Sequence, residues 1–190
     1  MELRLRQLLI LWSSLCTAGL GAQSSAQTPH TEGDVSLRHS VDAETRKIYD
    51  SAKPEIFLIK KSGAPGLPKN QNWEITGSYW NGELARIVAV SWNAKGKLGV
   101  EYYLQSGTVL MIYETFGYFT AEAPAGAWRN FRNLPGWERR TYFRSGKAGF
   151  IETNGVGMPA KSDRAYLSEM AALSTLIERE RRAHPPVKNE

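Results

Sequence analysis

Chemistry in this chain has to come from carboxylates, histidines or arginines, because the one cysteine, Cys16, lies in an apolar leader. The best carboxylate pair is Glu101 and Glu114. With Glu101 opposite Ile112 and Gly99 opposite Glu114, the two become diagonal neighbours on one face of a β-meander. At that spacing one carboxyl can protonate a glycosidic oxygen while the other attacks the sugar, as an envelope-polymer hydrolase requires. Strand charges more commonly face solvent. His30, His39 and His184 all fall in terminal segments expected to be mobile, whereas catalysis needs held groups. The sequence carries no zinc spacing, phosphate loop, dinucleotide fingerprint or nucleophile elbow, so neither a cofactor nor a metal is expected.

The arginines offer binding rather than catalysis. Arg129, Arg132, Arg139, Arg140, Arg144 and Lys147 crowd together with Glu138 as the only acid among them, and Trp128, Phe131 and Tyr142 are interleaved. Guanidinium groups beside aromatic rings suit an anionic envelope component or an acidic protein surface. The expected contact residues are Trp128, Arg129, Phe131, Arg132, Arg140, Tyr142 and Arg144. The plainer alternative is a solvated hairpin in which Arg139 pairs with Glu152 across the strands. A formal charge of +5 over 190 residues is too small to argue for nucleic acid.

These groups need elements to hold them. Arg4 and Arg6, the apolar run from Leu8 to Leu15 and the small residues through Ala22 and Ala26 read as an export signal over residues 1–26, cleaved after Ala22 or Ala26. The apolar run is too short to span a bilayer, so no transmembrane segment is expected once it is removed. Periplasmic or secreted localisation follows. Residues 27–40 are polar and read as a flexible tether, residues 41–183 as a single domain, and residues 184–190 as a tail. A helix opens near Asp42 and Glu44 and closes before Pro54, and a second runs from about Ser162 to Ala183, with Tyr166, Met170, Leu173 and Ile177 at helical spacing.

Between them lie the strands. Asn81-Gly82 and Ser106-Gly107 are hairpin turns, and Ser145-Gly146 is another. Pairing outward sets Tyr79 opposite Leu84, Gly77 opposite Arg86, Ile75 opposite Val88, and Leu104 opposite Val109. At Asn93 to Gly96, a three-residue loop with Gly96 in a bulge sets Leu98 beside Trp92, Val90 beside Val100 and Val88 beside Tyr102. Tyr102 then faces Met111 and Val100 faces Tyr113. One face becomes continuously apolar, from Trp73 and Ile75 through Val88, Val90 and Trp92 to Met111 and Tyr113, with Arg86 its one intrusion, lying flat over Gly77. Ile87, Tyr103 and Leu110 form a row on the other face, to be covered by a helix or to receive a ligand. The fold class is α+β: an antiparallel β-meander of about six or seven strands with an N-terminal and a C-terminal helix packed on it.

Four turns repeat one cassette, at Trp80 to Leu84, Trp92 to Leu98, Leu104 to Val109 and Phe143 to Ala148. With Thr141-Tyr-Phe-Arg-Ser-Gly-Lys147 as its best match, the region 73–180 resembles a loose group of exported bacterial proteins. These carry Tyr-Phe-x-x-Gly-Lys-Leu hairpins between a leading and a closing helix. The resemblance implies an architecture and an address, and no activity. The function expected is a non-enzymatic binding or accessory protein of the bacterial envelope with an anionic partner. The alternatives are the hydrolase through Glu101 and Glu114, and a carrier of a small apolar ligand held between the sheet and the closing helix.

Overall fold

The structure, a computed structural model, describes residues 32–60, 67, 71–119, 128–129, 135–155 and 159–185. The leader, Phe131 and Arg132 lie outside the described residues.

Helix α1 spans Glu32–Ser51, so the segment expected to be a tether is helical from Glu32 onward. Glu32 and Asp34 occupy its first turn, where carboxylates meet the positive end of the helix. Leu37, Val41 and Ile48 are buried along one side. Val35 and Leu37 are the only large apolar residues between Gln23 and Ser40, too few to display a period in sequence. Helix α2 spans Asp163–Ala183, and the side-chain oxygen of Ser162 accepts from the Ala165 N–H as its N-cap.

The strands are β1 (Lys53–Lys60), β2 (Asn72–Trp80), β3 (Glu83–Asn93), β4 (Gly96–Gln105), β5 (Thr108–Tyr118), β6 (Trp128–Arg129), β7 (Pro135–Arg144) and β8 (Lys147–Gly155). They form one antiparallel sheet in the order β1-β2-β3-β4-β5-β7, and β8 and the two-residue β6 share the outer edge of β7.

Three hairpins are built alike. Asn81-Gly82, Ser106-Gly107 and Ser145-Gly146 each place both turn residues at positive φ, the geometry that matches the twist of paired strands. Three residues after each turn glycine, at Ala85, Leu110 and Gly149, the returning strand carries one residue with no partner. These are β-bulges, and each reverses the alternation of side chains beyond it. Leu110 and Met111 therefore share one core, while Val109 before them and Ile112 after them belong to the other. In three of its four copies the repeated cassette is thus a turn with a built-in bulge.

The bulges overturn most of the expected register. Tyr79 opposes Leu84 and Leu104 opposes Val109, but past the bulges Gly77 opposes Ile87, Ile75 opposes Ala89, Tyr102 opposes Ile112 and Val100 opposes Glu114. The fourth turn differs in the opposite sense. Asn93 pairs with Gly96 with no bulge, its Oδ1 accepting from the N–H groups of Lys95 and Gly96, so Leu98 faces Ser91 and Trp92 faces Lys97. Val90 meets Gly99 and Val88 meets Glu101.

Two cores result in place of one apolar face. The first gathers Trp73, Ile75, Tyr79, Ile87, Val100, Tyr102 and Ile112 with Tyr166, Leu173, Leu176 and Ile177 of α2. The second gathers Ala85, Tyr103, Met111, Tyr142 and Phe150 with Leu37, Val41 and Ile48 of α1. The expected row of Ile87, Tyr103 and Leu110 is split between them, Ile87 in the first and the other two in the second. Gly77 leaves room for α2: a Cβ there would stand 2.6 Å from Cγ2 of Ile177.

Candidate functional site

Glu114 and Glu101 mark the two faces. Tyr113 opposes Glu101, and Glu114 opposes Val100, so the two carboxylates point to opposite sides of the sheet. The expected catalytic pair does not exist. Its premise was an unbulged β4–β5 hairpin, and the extra residue Leu110 removes it.

On the α2 face, Glu114 is 4% exposed and is the centre of a charged cluster. Its Oε2 accepts from Arg139 Nε at 2.8 Å and from the Tyr166 hydroxyl at 2.5 Å, with Arg139 Nη2 at 2.6 Å. Lys161 Nζ lies 3.6 Å from the other oxygen and also contacts Glu169, whose carboxylate accepts from the Tyr102 hydroxyl at 2.8 Å. Arg139 Nη1 donates to the Pro159 carbonyl at 2.9 Å, tying the segment ahead of α2 to β7. Two carboxylates are thereby matched by two cations, as ions this deep require. Burial pushes both phenols well above their ordinary range; the charge of Glu169 adds to this at Tyr102, and the hydrogen bond to Glu114 adds to it at Tyr166. Both remain protonated donors.

This cluster forms one side of a cavity of about 560 Å³. Leu67, Leu98 and Val100 give it an aliphatic wall, Trp73, Phe116, Tyr118 and Trp137 an aromatic one, and Lys95, Pro159 and Ala160 its exposed rim. The rings support each other. Phe116 stacks on Trp137 with centroids 6.2 Å apart and meets Tyr118 edge-on at 4.7 Å. Beside them the strands approach closely: a Cβ at Gly136 would collide with the Phe116 carbonyl oxygen, and one at Gly96 with that of Gly117. A groove of similar size, about 570 Å³, lies near the Asn81-Gly82 and Ser106-Gly107 turns, but Glu83, Ser106, Ser174, Glu178 and Arg181 make it the more polar of the two and no ring among the described residues lines it.

Of the residues expected to form a basic contact surface, Arg140, Tyr142 and Arg144 lie on the α1 face. Arg140 opposes Glu152 and lies 3.7 Å from Glu138 and 3.8 Å from Glu152, while Arg139, opposite Thr153, is the buried partner of Glu114 and not of Glu152. Tyr142 is buried, with its hydroxyl donating to Glu152. Arg144 is exposed and reaches the Gly33 carbonyl at 3.3 Å. Trp128 and Arg129 form β6, which pairs with Gly136 and Pro135; their side chains lie outside the described residues. Glu101 accepts from Arg86 at 2.6 Å and from the Tyr103 hydroxyl at 2.9 Å, so Arg86 faces away from Gly77. His39 sits on the exposed side of α1 and His184 caps α2.

The sequence reading missed Lys161, Glu169, Tyr102 and Tyr166 as a group. Glu169 falls one turn after Tyr166 among apolar positions of α2, a polar intrusion on a buried side, and that was the available signal. Among the described residues no three of His, Cys, Asp and Glu come together as metal ligands, and no helix is long and apolar enough to cross a membrane. No family model matches the chain, and no curated protein or solved structure matches it significantly.

Proposed function

We propose that this protein is a non-enzymatic binding protein that takes a small, largely apolar ligand into the cavity beside Glu114. The observation that carries the reading is the cavity wall itself: rings and aliphatic side chains face an open space while every buried ion beside it already has a partner. An apolar pocket with a few fixed polar groups is suited to holding a ligand. A carboxylate locked by arginine, lysine and tyrosine is poorly suited to moving protons. The binding surface thus shifts from the basic hairpin, whose Arg140 is paired and whose Tyr142 is buried, to the opposite face of the sheet. The leader-like residues 1–26 and the cassette's resemblance to exported proteins support a periplasmic or secreted setting.

Titration with the neutral fluorophore N-phenyl-1-naphthylamine tests this. Wild-type protein should give a saturable one-to-one rise in emission. Leu98→Trp, which fills the cavity, should lose that rise while keeping its circular dichroism, and Trp92→Ala on the other face should keep it. Undiminished uptake by a folded Leu98→Trp protein would remove the cavity as the site.

A further inference from the structure

We infer that the cavity selects an anionic amphiphile, a carboxylate joined to an apolar chain or ring system, with its head at the rim between Lys95 and Lys161 and its body against Leu98 and Phe116. This rests on the binding reading above and adds the charge of the ligand.

The argument is one of unspent donors. Among the described residues, Glu114 and Glu169 are the only acids lining the cavity, and between them they engage Arg139, Lys161, Tyr166 and Tyr102. A cationic head approaching either carboxylate would have to come alongside Arg139 and Lys161, like charges that already neutralise the pair. The cations are placed differently. Lys95 is exposed at the mouth and makes no ion pair among the described residues. Its backbone is fixed there, because its carbonyl accepts from the Phe119 N–H at 3.1 Å and its own N–H donates to Asn93. The Lys161 ammonium has three donors and, among the described residues, hydrogen-bonds Glu169 alone, with Glu114 at 3.6 Å and the Tyr166 ring centroid at 4.5 Å, so it keeps donor capacity for a further acceptor. Among the described residues at the cavity, Arg139, Lys161 and Lys95 against Glu114 and Glu169 leave one positive charge in excess. The cavity volume lies inside the range of about 300–1,000 Å³ usual for small-molecule sites, so the apolar body fits with its head still at the rim.

Displacement of N-phenyl-1-naphthylamine by dodecanoate, dodecan-1-ol and dodecylamine varies the head alone. Dodecanoate should displace the probe at about one-tenth the concentration the other two need, the effect of one charge-assisted contact. Lys95→Glu, on an exposed turn, should erase that advantage. Equal or better displacement by dodecanol or dodecylamine overturns the anionic selection while the binding reading stands. Failure of the wild-type protein to take up the probe or any of the three overturns both.

Discussion

Both faces of the sheet carry a glutamate held by an arginine and a tyrosine hydroxyl, but at different depths. On the α2 face the side chains of Arg139 and Glu114 are 9% and 6% exposed, and the cluster borders a cavity. On the α1 face those of Arg86 and Glu101 are 20% and 21% exposed, with the exposed Tyr49 ring 4.8 Å from the guanidinium. The same parts thus act as a buried frame on one side and as a wetted tie on the other. Depth decides the energetics, because a charge that can regain water loses little when its partner is removed, and a charge that cannot loses much.

The largest effect follows directly. Glu114→Gln leaves Arg139 deep and short of a counter-charge and should cost about 3–5 kcal/mol in chemical denaturation. Glu101→Gln, on the wetted side, should cost about 1 kcal/mol. Equal losses in the two variants would erase the distinction between the faces.

Helix contact gives a smaller contrast. Gly77→Ala drives a methyl into Ile177, which is fully buried, and should cost about 1–3 kcal/mol. Gly149→Ala meets Cδ2 of Leu37 at 2.8 Å, the free end of a side chain near the start of α1, where a small shift relieves the clash. Its cost should be about 1 kcal/mol or less by thermal or denaturant midpoint.

Alkali sharpens the comparison further. Unfolded tyrosines ionise near pH 10, whereas Tyr102 and Tyr166 are held protonated well above that, first by burial and then by their glutamates. Their contribution to stability is complete below about pH 10 and is lost as pH rises beyond it, by about 1.4 kcal/mol per pH unit for each such phenol. Tyr102→Phe removes one of them. Its stability should therefore fall less steeply than the wild type's above pH 10, and identical slopes would show that Tyr102 ionises as freely in the fold as out of it.

Turns were legible in the sequence and bulges were not. Asn81-Gly82, Ser106-Gly107 and Ser145-Gly146 announce themselves because few residue pairs tolerate two positive φ angles. Ala85, Leu110 and Gly149 announce nothing, since an unpaired strand residue needs no special side chain. Without Ala85, Val90 and Trp92 fall on the core face, and the bulge expected at Gly96, where the structure has none, then pairs them with Val100 and Leu98; without Leu110, Glu101 falls on the face of Glu114. Ile87 followed by Val88, and Tyr102 followed by Tyr103, offer large apolar groups to both faces, so hydrophobic pattern alone could not expose the slip. The closing helix was legible from its period and from the Pro185-Pro186 stop beyond it. The cavity was not, because it joins Lys95, Glu114, Trp137 and Lys161 from four separate parts of the chain.

The most direct test is heteronuclear NMR of the tryptophan indole N–H groups during titration with dodecanoate. Trp73 and Trp137 border the cavity, whereas Trp80 belongs with the α1-side core and Trp92 faces away from Leu98. Shifts that saturate at Trp137 and Trp73, with Trp80 and Trp92 unmoved, are the predicted result. Movement at Trp80 and Trp92 with the other pair silent would contradict it and place the ligand on the wrong side of the sheet for everything proposed above.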